Sequence, residues 1–329
     1  MRIVCLPGDG IGPEVMAEAA RAIEALLPEA RVEERLLGAE AIDQLGDPLP
    51  DETLEACREA DAVLLGAVGS DRYSWREGPN PEDGLFRLRQ ELDVYANLRP
   101  SVGDGVDLMI VRELVGGLYF GSRGVEPDGT VFDRLEYHPD QVVRVARRAF
   151  ELAGQRDGRL LSVDKANVLA TSRMWRATVD EMAPAYPDVR VEHLLVDTAA
   201  MRLVEDASAF DVIVTENTFG DILSDIAAAL TGGLGAAASA CLGDSGVDVF
   251  EPVHGTAPDI AGTGTANPTA MLLSAALMLR YGLERPAEAD ALEAAVASAR
   301  ADRPTVDEGG TADTRGFGDH VLATLRNGA

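Results

Sequence analysis

Two aspartates four residues apart, Asp221 and Asp225, stand in the stretch Thr215-Glu-Asn-Thr-Phe-Gly-Asp-Ile-Leu-Ser-Asp225. On a helix that spacing puts both carboxylates on one face, one turn apart, where they repel unless a cation lies between them. An all-oxygen pair suits a hard divalent ion such as Mg²⁺ or Mn²⁺. The plain alternative makes Asp221 an N-terminal helix charge and Asp225 a solvated surface residue. A second candidate is Lys165, the only lysine among 29 lysines and arginines. Arginine serves for charge and bidentate binding but is not deprotonated in a protein, whereas a lysine can be. A composition that uses arginine everywhere else and keeps lysine here marks Lys165 for proton chemistry, unless it is a chance survivor. Arg89, Arg99 and Arg112 fall at the ends of helix and strand signals, and together suit a clamp on a small molecule with two or more carboxylates. Taken singly, each reads as a surface ion pair.

The elements that must position these residues alternate between strand and helix. Val212–Val214 reads as a short buried strand, Gly220 as a turn, and Asp221 as the start of an amphipathic helix continuing through Ile222, Leu223, Ile226 and Leu230. A strand at Leu160–Val163 leaves Lys165 just past its end, and a strand at Val191–Val196 ends in Asp197. A short helix from Leu85 carries Arg89, an extended segment ends at Arg99-Pro100, and a strand at Leu108–Val111 ends in Arg112. Tyr119 follows among glycines, and residues 122–137 read as a protruding hairpin turning at Asp128-Gly129.

Toward the N-terminus, a strand at Arg2–Leu6 precedes Pro7-Gly-Asp-Gly-Ile-Gly-Pro-Glu14. The third glycine of a dinucleotide fingerprint would fall on Pro13, so this turn is not a Rossmann signal. Further strands are expected at Val32–Leu37 and Ala62–Ala67, and a helix at Asp51–Ala60. The polar stretch Ser70 to Glu82 reads as a loop. The whole is α/β patterning with no linker, so any two domains interleave.

With 46% hydrophobic residues the chain can bury a sizeable core. A net charge of −27 argues against nucleic-acid or anionic-membrane partners. No apolar run reaches membrane-spanning length, the chain opens directly on a strand rather than a signal peptide, and its three cysteines show no framework. These features predict a cytoplasmic protein.

Taken together, GDGIGPEV, LRQELDVYANLRP, VRELVGGLYFG, VDKANVL, TENTFGDILSD and EPVHGTAPDIAGTGTANP resemble, in order and over nearly the full length, the isocitrate/isopropylmalate family of β-decarboxylating dehydrogenases. The resemblance implies that family's own two-domain α/β fold. A cofactor-side domain would comprise residues 1–95 plus 233–329. The second domain, 96–232, would carry an arm hairpin at about 122–137 and the interface of a homodimer whose active sites are completed across it.

By the same resemblance the metal, Mg²⁺ or Mn²⁺, takes Asp221 and Asp225 from one subunit and Asp197 from the other. Arg89, Arg99 and Arg112 match the carboxylate clamp. Lys165 matches the base that takes the hydroxyl proton, and Tyr119 the acid that protonates the enolate carbon. The cofactor loop corresponds to His254, Gly255, Thr256, Ala257, Pro258 and Asp259, with Asn267 and Asp307 toward the adenine and Ile11 toward the nicotinamide. A carboxylate at Asp259 repels a 2′-phosphate, which implies NAD. Leu85, Phe86 and Val168 would offer an apolar wall to an isopropyl group, implying oxidative decarboxylation of 3-isopropylmalate in leucine biosynthesis. The alternatives are the same reaction on homoisocitrate, D-malate or tartrate, or, more remotely, a non-catalytic dimer that binds metal and dicarboxylate.

Overall fold

The structure is a computed structural model that describes residues 1–73, 78–103, 105–244 and 246–328. The chain forms two compact units, Met1–Asp93 with Gly232–Ala329, and Val94–Thr231. In chain order the first unit opens with β1 (Arg2–Gly8), α1 (Gly12–Leu26), β2 (Arg31–Glu34), α2 (Ala39–Leu45), α3 (Asp51–Arg58), β3 (Ala62–Ala67) and α4 (Pro81–Glu91). The second unit contains β4 (Ala96–Gly103), β5 (Val106–Glu113), β6 (Arg123–Val125), β7 (Val131–Asp133), α5 (Pro139–Gln155), β8 (Arg159–Asp164), α6 (Ala170–Met182), β9 (Arg190–Leu195), α7 (Val196–Glu205), β10 (Val212–Thr215) and α8 (Asn217–Leu230). The chain then returns to the first unit with β11 (Ala238–Leu242), β12 (Val249–Pro252), α9 (Thr269–Leu277), α10 (Pro286–Asp302) and α11 (Thr314–Gly328).

In the first unit β1 lies between β2 and β3, parallel to both; β12 pairs parallel with β3 and antiparallel with β11. Ile3, Val4, Cys5 and Leu6 are all fully buried, the continuous apolar run expected of a parallel strand covered on both faces. Pro13 opens α1, where a missing N–H costs nothing. Strand β2 is shorter than the sequence suggests. It ends at Glu34, because Arg35 leaves the pairing with β1 after its N–H reaches the Cys5 carbonyl.

In the second unit β10 lies between β5 and β8, parallel to both, β9 pairs parallel with β8, and β4 runs antiparallel to β5. Leu108, Ile110, Leu161, Val163 and Ile213 from the strands pack against Ala199 and Leu203 of α7 and Leu223 and Ala227 of α8. Removing one such side chain, Leu223→Ala for example, costs roughly 2–5 kcal/mol in a close-packed core. That packing fixes the register of α8 over the sheet, and hence the place of its two aspartates. Strands β6 and β7 form an antiparallel hairpin whose turn has Gly129 at φ +89°.

Cys5, Cys57 and Cys241 are buried thiols. No helix among the described residues is long and apolar enough to cross a membrane. Of the polar stretch Ser70 to Glu82, residues 74–77 lie outside the described residues, and its end already belongs to α4.

Candidate active site

Strand β10 delivers the chain to Glu216, whose backbone is extended and whose carboxylate accepts from Thr218 N at 3.1 Å and Phe219 N at 2.8 Å. Glu216 is therefore the N-cap, and α8 begins at Asn217 rather than at Asp221 as the sequence suggests. Glutamate is not among the usual capping residues, which is why the boundary was not legible. Gly220 is correspondingly no turn. It lies inside the helix, where a Cβ would come within 2.7 Å of the Arg112 Cβ and Cγ, so its role is to let Arg112 lie against the helix. Asp221 and Asp225 keep their one-turn separation on α8.

Around that pair the second unit gathers two buried arginines and a tyrosine. Arg112, at 3% exposure, ion-pairs with Asp221 and donates through Nε to Asn217 Oδ1 at 2.8 Å. Arg99 places Nη1 3.3 Å from Asp221 and 3.6 Å from Asp225. It is held there by Asn97 Oδ1 on Nε and Ser224 Oγ on Nη1, both at 2.7 Å. Tyr119 donates its hydroxyl to Asp221 Oδ2 at 3.2 Å, and its ring centre lies 5.8 Å from the Arg112 guanidinium. Burial raises the Tyr119 phenol above its ordinary value and Asp221 adds to the effect, while Arg112 opposes it. Asp225 is likewise raised, chiefly by burial, with Arg99 opposing and Asp221 adding. The sequence reading named the arginines and missed Asn97, Ser224 and Asn217, which aim them. Asn97 lies two residues before Arg99, a spacing that on a strand puts both side chains on one face.

Lys165 follows β8 directly. The chain is anchored there by Asp164, fully buried and bridged to Arg176 by two hydrogen bonds of 2.8 and 2.9 Å, and by Lys165 N donating to Ser172 Oγ at 3.0 Å. Lys165 Nζ donates to Asp197 Oδ1 at 2.7 Å. That bond is the main cause holding the Asp197 carboxyl below its ordinary range. Asp197 lies in the first turn of α7 rather than at a strand end, since β9 stops at Leu195. Among the described residues no three His, Cys, Asp or Glu side chains cluster closely enough to hold a metal. Within one chain Asp197 therefore does not join Asp221 and Asp225. Val168, in the loop after Lys165, is 64% exposed.

The remaining candidates belong to the first unit. Arg89 is buried on α4 and paired with Glu251 at 2.6 Å, and half-buried Leu85 and Phe86 lie on the same helix. At the β1–α1 turn, Ile11 N donates to Thr256 O at 2.9 Å. Gly10 has φ +59°, and a Cβ there would meet Thr256 O at 2.1 Å, so only glycine fits. Asp9, buried, pins this turn by accepting from Ala39, Glu40 and Gly69 N–H groups. The loop from His254 to Asp259 thus lies against the turn. It holds Ala257 at φ +38°, an uncommon conformation for a side-chain-bearing residue. The Nε2 of His254 is buried with no hydrogen-bond partner among the described residues, and burial lowers its pKa. Gly255, Pro258 and Asp259 are exposed. Asn267 Nδ2 donates to Asp307 Oδ2 at 3.1 Å, and Thr305 holds the other Asp307 oxygen at 2.6 Å. An orphaned buried nitrogen in a loop that also exposes the Asp259 carboxylate fits a polar ligand such as a nucleoside. The paired carboxylates of α8 fit a hard divalent cation by their donor set.

This architecture is that of the decarboxylating dehydrogenases. The chain matches isocitrate dehydrogenase from Methylococcus capsulatus with a TM-score of 0.92 at 34% identity, covering 99% of each chain. It matches a β-decarboxylating dehydrogenase from Thermococcus kodakarensis with a TM-score of 0.86 at 37% identity, covering 99% and 96%. A family model described as isocitrate/isopropylmalate dehydrogenase matches residues 2–321. Among curated relatives, the 3-isopropylmalate dehydrogenase of Synechococcus sp. (strain CC9902) is 52% identical over 90% of this chain and 89% of its own length. That of Zymomonas mobilis subsp. mobilis is 47% identical over 99% of this chain and 100% of its own. The chain belongs to the isocitrate/isopropylmalate dehydrogenase family and is a dehydrogenase, an oxidoreductase that works with a nucleotide cofactor and a divalent metal.

Proposed function

We propose that this chain catalyses the NAD-dependent oxidative decarboxylation of 3-isopropylmalate to 4-methyl-2-oxopentanoate, a step of leucine biosynthesis, as a cytoplasmic homodimer with Mg²⁺ or Mn²⁺. The names of the relatives support the substrate. The observation that carries the chemistry is the single carboxylate of Asp221, which meets Arg112, Arg99 and the Tyr119 hydroxyl at once. One small region thereby offers a metal ligand, two carboxylate anchors and a proton donor.

Arg99 and Arg112 bind and orient the dicarboxylate, with Arg89 as the third anchor. Lys165 Nζ takes the proton of the substrate hydroxyl, and a bound nicotinamide would supply the acceptor for the hydride of the same carbon. The resulting ketone lies β to a carboxylate, so carbon dioxide departs and leaves an enolate. Tyr119 then delivers its proton to the enolate carbon. Asp221 and Asp225, with Asp197 from a second copy, would hold a divalent ion, which would supply positive charge to the hydroxyl oxygen and to the enolate. In the chain alone Lys165 Nζ donates to Asp197 Oδ1 at 2.7 Å, which fixes the position of the amine.

For the cofactor, exposed Asp259 would accept from the adenosine ribose hydroxyls and would repel a 2′-phosphate, which favours NAD. His254 Nε2 would offer its buried nitrogen, Asn267 and Asp307 would serve the adenine side, and Ile11 the nicotinamide side. Leu85, Phe86 and Val168 supply the apolar surface that an isopropyl group needs and a third carboxylate does not.

The test offers 3-isopropylmalate, homoisocitrate, D-malate and tartrate in turn with NAD and Mn²⁺, following NADH absorbance. The expected result is the highest kcat/KM on 3-isopropylmalate. An equal or better rate on another acid moves the substrate assignment to that acid. Failure to bind NAD by calorimetry would revive the alternative of a non-catalytic dimer that binds metal and dicarboxylate.

A further inference from the structure

We propose that Tyr137 is a positioning residue for Tyr119 and Arg112, its hydroxyl tying the foot of the β6–β7 hairpin to the loop that carries the acid and to the start of α8. The inference rests on the site assignment above. Tyr137 follows β7 and is not itself among the groups assigned to chemistry. Its hydroxyl donates to Glu113 Oε2 at 3.0 Å and accepts from Asn217 N at 3.0 Å. Glu113, the fully buried last residue of β5, also accepts from Val115 N at 3.1 Å and Gly116 N at 2.9 Å. Asn217 completes the circuit: its Nδ2 donates to Leu114 O and Gly116 O at 3.2 and 2.9 Å, and its Oδ1 receives Arg112 Nε. The turn 113–116 is thus held from both sides, and it runs directly into the short 3-10 turn Gly117–Tyr119.

Shape supports the same reading. A Cβ on Gly116 would lie 2.7 Å from the Tyr137 ring, and one on Gly117, at φ +74°, would lie 2.6 Å from its hydroxyl. Two adjacent residues are glycine because the tyrosine occupies their side-chain space. On its other side the ring meets Trp175 edge-on at 5.9 Å. Tyr137 and Trp175, with Asp164 and Glu216, also border a cavity of about 10 Å³, the size of one water. A buried carboxylate bonded to a buried phenol contributes less stability than apolar packing of the same volume. Its worth lies in holding the 113–119 backbone in one place. Burial raises Glu113 and Tyr137 alike, consistent with a site shut off from solvent.

Tyr137→Phe keeps the ring and removes only the hydroxyl. The first readout needs neither substrate nor metal: amide hydrogen exchange across residues 113–119. The expected result is exchange at least about tenfold faster in that segment, because the turn loses one of the ties that hold it. The second readout is kinetic: kcat on 3-isopropylmalate should fall about tenfold with KM for NAD unchanged. The loss should vanish in a Tyr119→Phe background, because a residue acting through Tyr119 has nothing left to position. Glu113→Gln, which loses one acceptor of the same circuit, should move both readouts the same way and serves if Tyr137→Phe does not fold. Unchanged exchange across residues 113–119, or a loss that adds in full to that of Tyr119→Phe, overturns the proposal. A wild-type protein inactive on 3-isopropylmalate overturns the substrate assignment instead, and the exchange measurement still decides the role of Tyr137.

Discussion

Lys165 Nζ and Asp197 Oδ1 are 2.7 Å apart, joining the end of strand β8 to the first turn of α7. The sole lysine of the chain is thus partnered by one of the carboxylates assigned to the metal, and its backbone is fixed by Ser172. Lys165→Arg keeps the charge and a donor toward Asp197 but cannot accept a proton. The expected outcome is a loss of about a hundredfold or more in kcat for hydroxyl oxidation, with far-UV circular dichroism unchanged. A variant that keeps most of its turnover would remove Lys165 from the role of base.

Gly220 offers a test in which local propensity and packing oppose each other. Alanine in a helix interior is ordinarily more stable than glycine by roughly 0.5–1 kcal/mol. Here the new Cβ would come within 2.7 Å of Arg112, whose guanidinium is anchored at both Asn217 and Asp221. Overpacking at a buried anchor costs about 1–3 kcal/mol, so packing outweighs propensity. Gly220→Ala should leave thermal stability unimproved and lower kcat/KM for the dicarboxylate at least about tenfold through displacement of Arg112. A variant both more stable and fully active would show that Arg112 has room to move.

These two sites also show what could and could not be read from sequence. The solitary lysine and the paired aspartates stood out because residue type and a spacing of four are local properties. The α/β class was legible for the same reason, since strands such as β1 and β3 are unbroken apolar runs. The start of α8 was not, because its cap is a glutamate whose geometry depends on where β10 ends. Nor was the purpose of Gly220, Gly116 or Gly117 visible, since each answers a side chain distant in sequence: Arg112 in one case and Tyr137 in the others. Asn97, Ser224 and Asn217 were missed on the same ground, for a polar residue becomes a positioning group only once folding brings an arginine to it.

Glu113 predicts a pH dependence with a definite sign. Burial pushes its carboxyl from the ordinary 4.5 up to about 7. Between those values the folded protein holds a proton that the unfolded chain has released. The contribution to stability is therefore fully present below pH 4.5 and is lost as pH rises through about 7. Glu113→Gln has no such titration. The difference in Tm between wild type and variant should accordingly shift against the wild type as pH climbs through this window. A difference that stays flat across it would mean that Glu113 ionises like an ordinary exposed carboxyl.

Asp259 and Ile260 are exposed at the end of the loop that lies against the β1–α1 turn. If Asp259 repels a 2′-phosphate, replacing it with lysine converts repulsion into attraction at the same point. Asp259→Lys should lower the NAD-over-NADP ratio of kcat/KM by about tenfold or more. Reduced-cofactor absorbance with each nucleotide measures this directly, and an unchanged ratio would place the discrimination elsewhere on the chain.

The excess of acid carries the last expectation. There are 56 carboxylates against 29 lysines and arginines. Pairing does not cancel the difference, because the arginines are shared. Arg280 serves Asp290 and Glu293, both at 2.8 Å, and Arg58 serves Glu55 and Glu91. Each such trio keeps a net negative charge, while Glu24, Glu29 and Glu52 stand exposed on or beside helices of the same unit. Glu33 departs from that pattern, being partly buried on β2 and approached by Arg2, Arg31 and Arg35. Self-repulsion of the remainder destabilises the compact state, and added salt relieves it over a Debye length of about 10 Å at 0.1 M. The Tm of the metal-free protein should therefore rise with KCl, steeply at first and then more slowly once neighbouring charges are screened. Sucrose, uncharged, controls for the general stabilisation that any excluded solute brings. A Tm that ignores KCl, or that rises no more than with sucrose, would show that these carboxylates are far enough apart in water for their repulsion not to matter.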